Sequence, residues 1–140
     1  MNRVWKPNVT VAALIERDGR FLLVEEETED GLRFNQPAGH LDEGESLVAA
    51  CAREALEETA YTFAPTELVG IYQWPRPQGD ITYLRFAFAG KVGACDTARR
   101  LDAGILRAVW MTPGEIRACA DRHRSPLVSQ CIDDYLAGRR

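Results

Sequence analysis

Soft metal ligands are scarce in this 140-residue chain: two histidines, His40 and His123, and four scattered cysteines, Cys51, Cys95, Cys119 and Cys131. No two cysteines stand at CxxC spacing and the histidines are far apart, which argues against a structural zinc site. Cys51 and Cys131 are instead expected as small core residues in a reducing compartment. No apolar run is long enough to cross a bilayer, and the opening MNRVWKPNVT lacks the apolar centre of a leader peptide, so a cytoplasmic protein without a membrane partner is expected. Basic patches are missing too. The net charge is -4, and only Asp121-Arg122-His123-Arg124 gathers cations, which argues against a nucleic-acid polymer as partner. Repeats, low-complexity tracts and linkers are likewise absent. With 46% hydrophobic and 27% charged residues, the chain reads as one domain over residues 1–140, acting as a monomer or homodimer.

What is abundant is acid in one place. The stretch Gly39 to Tyr61, GHLDEGESLVAACAREALEETAY, carries Glu54, Glu57 and Glu58 within one helix. At about 100° per residue the three carboxylates fall within an arc of roughly 100°. Like charges at i,i+3 and i,i+4 weaken an isolated helix by a few tenths of a kcal/mol each. Such crowding has a use if a cation is held there, and a divalent metal in a hydrolase is the first expectation.

The rest of the chain alternates strands and helices. Val9 to Ile15 and Phe21 to Val24 flank Asp18-Gly19 and read as a hairpin, with strands apolar enough to be covered on both faces. Glu25 to Gly31 reads as a mobile acidic loop, and Phe34 to Pro37 as a short strand. Ser46 is the expected N-cap of a helix from Leu47 to Thr59, with Val48, Cys51, Ala52, Ala55 and Leu56 on its buried stripe. Strands are expected over 68–74, 81–89 and 105–111, with a loop from Gly90 to Gly104. In the second of these, Tyr83, Arg85 and Ala87 share one face. Thr112-Pro113-Gly114-Glu115 spells a capping box opening a helix to about Arg122, and a last helix covers Leu127 to Leu136. This order predicts an α/β fold, an α/β/α sandwich around a mixed sheet.

Gly39, Glu45, Arg53, Glu54, Ala55, Glu57, Glu58 and Tyr61 match the Nudix box in type and spacing, and the chain resembles the Nudix hydrolase superfamily. A solvated Glu-rich helix face would explain the three acids but not Gly39, Glu45 and Arg53 around them. One position departs: the glycine after Glu-Glu-x is Ala60, which bears on how the helix ends. Asn35 to Leu41, Leu84-Arg85-Phe86, Arg124 to Val128 and Val9 to Ala12 extend the likeness to the NudJ-type phosphatases of that superfamily.

The resemblance implies a hydrolase that uses Mg²⁺ or Mn²⁺ on a small phosphorylated substrate. Hard dications take oxygen ligands, and placed between a carboxylate cluster and a pyrophosphate they offset the charge that repels an attacking water. It implies Glu54 and Glu58 as metal ligands, Glu57 as a ligand directly or through water, and a backbone carbonyl from Ala38 or Gly39. Arg53 and Glu45 are expected to pair and fix the loop to the helix; Arg53 by itself also reads as a surface i,i+4 partner of Glu57. Relatives carry a general base about six residues before a Trp. Counting back from Trp110 gives Gly104, so either Asp102, the nearest acid, takes that role or Glu57 orients the water. His40 reads as a phosphate donor or a loop cap, and Arg85 as a phosphate ligand or a structural arginine. Trp74 reads as a stacking ring or a buried one, and Arg124 as an anion ligand or a helix-end cation. Gln36, inside the Asn35 to Leu41 motif, joins the expected substrate contacts. The implied substrates are nucleoside tri- and diphosphates and thiamine-type pyrimidine pyrophosphates. Pro75 and Pro77 leave an ADP-ribose or nucleotide-sugar pyrophosphatase open, and a catalytically silent binding domain is the reading against which the intact Glu triad stands.

Overall fold

The computed structural model describes residues 3–140; Met1 and Asn2, part of the stretch read above for a leader, lie outside the described residues. The order of elements is β1 (Asn8–Leu14), β2 (Glu16–Arg17), β3 (Arg20–Thr28), β4 (Gly31–Asn35), β5 (Ala38–His40), α1 (Leu47–Thr59), β6 (Tyr61–Pro75), β7 (Thr82–Cys95), β8 (Ile105–Met111), α2 (Pro113–Ala118) and α3 (Leu127–Leu136), with a 3₁₀ turn at Ala120–Arg122 before α3. Two sheets result. The first runs β5-β1-β7-β6, with β1 and β7 parallel and the other pairs antiparallel; the second runs β2-β3-β4, with β8 on the other side of β3.

The apolar run of β1 is covered on both faces, as its composition requires. Val11, Ala13 and Ile15 meet Ala50, Cys51 and Ala55 of α1, while Ala12 and Leu14 meet Leu127, Cys131 and Ile132 of α3. The small side chains of α1 bring it close enough for the Cys51 thiol to donate to the carbonyl of Ala12 at 3.5 Å. Burial pushes that thiol up to about 12, leaving it an inert packing group. The α/β/α sandwich is thus as expected, although its central layer is divided into two sheets.

Five expectations need correction. The Asp18-Gly19 turn exists, with both residues at positive φ, but it joins β2 to β3. The run before it belongs to the other sheet, because β1 takes β5 and β7 as neighbours. Glu25 to Gly31 is not a mobile loop. β3 continues to Thr28 in register with β4, Glu25 is tied to Arg107 at 2.8 Å and to Arg122, and only Glu29-Asp30 turn. Gly90 to Cys95 extend β7 against the start of β6, because Phe63 and Val92 bury their side chains on the α1 side of the sheet. The buried face of α1 centres on Cys51, Ala55 and Glu58, which turns Val48 outward to 48% exposure. Finally α2 stops at Ala118, and the 3₁₀ turn supplies the remainder up to Arg122. Its capping box is formed at both ends: Glu115 N–H donates to Thr112 Oγ1, and Thr112 N–H to Glu115 Oε1.

Candidate active site

Helix α1 begins where Ser46 accepts from the backbone N–H of Ala49 and ends at Ala60, in the left-handed conformation at φ 66. Between these caps, Arg53 collects the acids. Its guanidinium makes five hydrogen bonds: two to Glu45 at 2.7 and 2.9 Å, one to Glu54 at 2.7 Å, one to Glu57 at 2.9 Å and one to the carbonyl of His40 at 3.1 Å. These use all five of its N–H donors. The loop 40–45 is therefore clamped to the helix by one side chain, and the expected Arg53–Glu45 pair is formed. Arg53 holds the Glu45 carboxyl below the usual carboxylate range.

The acids do not stand equivalently. Carboxylate oxygens of Glu54, Glu57 and Asp102 lie within 4.8 Å of one another. Asp102 arrives there because its N–H donates to the carbonyl of Glu57 at 3.0 Å, docking the loop after β7 onto the end of α1. Gly104 itself lies at φ 90 and is followed by β8, so the acid near the helix is Asp102 and not the residue six before Trp110. Burial pushes the carboxyls of Glu54 and Asp102 up, the latter helped by the charge of Glu57.

Glu58 is separate from that triplet. It is 9% exposed, accepts from the N–H of Ala38 at 3.0 Å, and is pushed up to about 8, mainly by burial. Gly39 lets the backbone come close to Glu54: a Cβ there would fall inside the Glu54 carboxyl group and push that side chain out of its place. The strand β5 and helix α1 thus make a cradle of hard oxygen donors, and this donor set suits a divalent cation.

Glu54 and Glu58 open onto a cleft of about 1250 Å³. Its floor is the sheet face carrying Thr10, Tyr83 and Arg85; its walls are the β3–β4 hairpin with Glu26, and the segment from His123 to Ser129. Ala38, Gly39, His40, Trp74 and Arg124 also line it. Trp74 and Tyr83 face each other across β6 and β7 with ring centroids 6.1 Å apart and planes 16° apart. Arg124 pairs with Glu26 at 2.9 Å. Gln36 is not on the cleft wall: at 1% exposure it donates to the carbonyl of Val128 and accepts from Arg85. Glu26, Asn35 and Thr10 went unassigned in the sequence. Reading Glu25 to Thr28 as strand would have put Glu25 and Glu26 on opposite faces; Glu26 comes close enough to Glu58 for its charge to help raise that carboxyl.

A family model, the NUDIX domain, matches residues 5–131. The chain belongs to the Nudix family. Among its Nudix relatives, phosphatase NudJ of Escherichia coli (strain K12) is 39% identical over 137 residues, which is 98% of this chain and 88% of that protein. A NUDIX hydrolase from Nitrosomonas europaea superposes with a TM-score of 0.93 at 55% identity, covering 96% of this chain and 92% of the other. A UDP-X diphosphatase shares the fold at 19% identity, with a TM-score of 0.78 over 99% of this chain and 67% of that one. The chain is accordingly a Nudix-type pyrophosphohydrolase, an enzyme of a family that uses divalent cations, and it carries an acidic cluster of the matching kind.

Proposed function

We propose that this Nudix domain cleaves pyrophosphate bonds of small phosphorylated metabolites with Mg²⁺ or Mn²⁺. Nucleoside tri- and diphosphates and thiamine-type pyrimidine pyrophosphates are the proposed substrates. The observation that carries the reading is the convergence of Glu54, Glu57 and Asp102 carboxylates, with Glu54 and the separate Glu58 lining the cleft that Arg85 and Arg124 also line. In this reading Glu54, Glu57 and Glu58 hold the cation, with the backbone at Ala38 and Gly39 shaping the cradle. The cation, when bound, offsets phosphate charge and lowers the pKa of bound water. Asp102, beside Glu57, accepts the proton of the attacking water. Arg53 and Glu45 position the acids without touching the substrate. His40 and Arg124 contact phosphate oxygens, Trp74 offers its ring face to a planar moiety, and Gln36 positions Arg85.

A panel of nucleoside diphosphates, hydroxymethylpyrimidine pyrophosphate and ADP-ribose with Mg²⁺ tests the reading. Release of inorganic phosphate from the first two is expected. Pro77 lines the cleft, so AMP release from ADP-ribose is the second arm and would favour a sugar-linked diphosphate. Glu58→Gln should cut turnover by about 100-fold or more with the circular dichroism spectrum unchanged; near-normal turnover would remove Glu58 from the metal site.

A further inference from the structure

Arg85 is a buried cation without a counter-ion. It is 6% exposed, yet among the described residues no carboxylate lies within ion-pairing distance of it. Its partners are neutral: Nη1 donates to Gln36 Oε1 at 2.9 Å and Nη2 to Asn35 Oδ1 at 3.0 Å. The nearby Cys131 thiol is pushed up by burial and carries no charge to offset it. Amide oxygens satisfy hydrogen-bond geometry but leave the charge uncompensated, and an uncompensated buried charge is costly. Nε has no acceptor among the described residues, and no buried side-chain nitrogen is left without a partner, so Nε faces the cleft that Arg85 lines.

The position is as telling as the charge. Thr10 pairs with Arg85 on one side and His40 on the other, which sets the arginine two strands from the acid cradle, roughly 10 Å at strand spacing. Thr10 and Asn35 beside it are each only 9% exposed, and Leu127 of α3 closes the floor behind. A guanidinium at a closed floor is reached by the end of a molecule and not by its middle. We propose that Arg85 is the specificity-determining residue of this enzyme, a subsite for the terminal phosphate of the substrate that excludes a diphosphate esterified at both ends. A guanidinium fork takes two of the three free oxygens of a terminal phosphate, whose extra negative charge offsets the uncompensated cation. An esterified phosphate still offers two oxygens but carries less charge and an ester substituent for which the closed floor leaves no room. This inference rests on the proposed pyrophosphohydrolase reading, but its first test does not require turnover.

Metal-free protein in EDTA is titrated with inorganic phosphate and its melting followed. Phosphate is expected to raise the melting temperature of the wild type, with at least tenfold weaker binding in Arg85→Gln and partial recovery in Arg85→Lys. Asn35→Asp keeps the arginine and the shape but supplies the missing counter-charge at Nη2, so it too should weaken phosphate at least tenfold, which covers the case in which Arg85→Gln does not fold. With Mg²⁺, the ratio of kcat/KM for a nucleoside diphosphate over ADP-ribose should fall at least tenfold in Arg85→Gln, through KM. Phosphate binding that is absent in the wild type, or equal in Asn35→Asp, overturns the subsite, as does an unchanged ratio. If no substrate turns over while phosphate binds through Arg85, the hydrolase reading fails and the subsite stands.

Discussion

Arg53 shows how much of the site one side chain arranges. Each acid it touches is a like charge for the others, so its removal exposes Glu45, Glu54 and Glu57 to mutual repulsion as well as to lost hydrogen bonds. Charge-assisted bonds of this kind contribute about 1.5–3 kcal/mol where they are partly buried. Arg53→Ala should therefore lower unfolding stability by about 2 kcal/mol in urea titrations without metal. A dication added to the variant should recover part of the loss, because it takes over the offsetting of charge. If Mg²⁺ stabilises wild type and variant equally, the acids that Arg53 holds are not those that hold the cation. In the sequence Arg53 was legible as a helical i,i+4 partner of Glu57. Its reach to Glu45 and to the carbonyl of His40 followed only from the resemblance or from the coordinates, since loop geometry has no periodic signature.

At the scale of elements, α1 is capped well at its start and awkwardly at its end. Ala60 sits at φ 66, a region that costs a residue with a Cβ roughly 1 kcal/mol or more. Its N–H nevertheless closes the helix onto the carbonyl of Leu56, so the missing glycine strained the helix end without altering its place. Ala60→Gly is expected to raise stability by about 0.5–1 kcal/mol, measured as an upward shift in melting temperature with kcat unchanged. Helices α1 and α3 could be read from spacing, because a 3.6-residue period is local, although Val48 proved to lie off the buried face of α1. The two sheets could not be separated that way. Val9 to Ile15 and Phe21 to Val24 look alike as apolar runs, and only the pairing of β1 with the distant β7 assigns them to different sheets. The acids of β3 were misread for a similar reason: Glu25 and Glu26 look like loop residues until Arg107, Arg122 and Arg124 are brought across to pair with them.

The whole molecule should answer to pH in a way set by the buried carboxyls. Glu58 titrates near its ordinary value of 4.5 when unfolded and at about 8 when folded. Between these values the folded state keeps a proton that the unfolded state has released, so metal-free stability is present at low pH and falls as pH rises through that window. Glu25 and Glu45 act oppositely: their arginines hold them down, and that contribution is lost on acidification below their ordinary range. Glu58→Gln should flatten the decline between pH 5 and 8 in thermal unfolding without metal. A divalent cation competes with the proton for the carboxylate, so Mg²⁺ should stabilise the wild type more at pH 8 than at pH 6. A wild-type profile that rises from pH 5 to 8 would contradict the burial of Glu58. The link between Asp102 and α1 has a further consequence for time rather than energy. That acid is tethered to α1 through the bond from its own N–H to the carbonyl of Glu57. Deuterium uptake at the Asp102 amide therefore reports on the release of the loop from the helix, and under the proposal that Asp102 is the base only the docked state turns over.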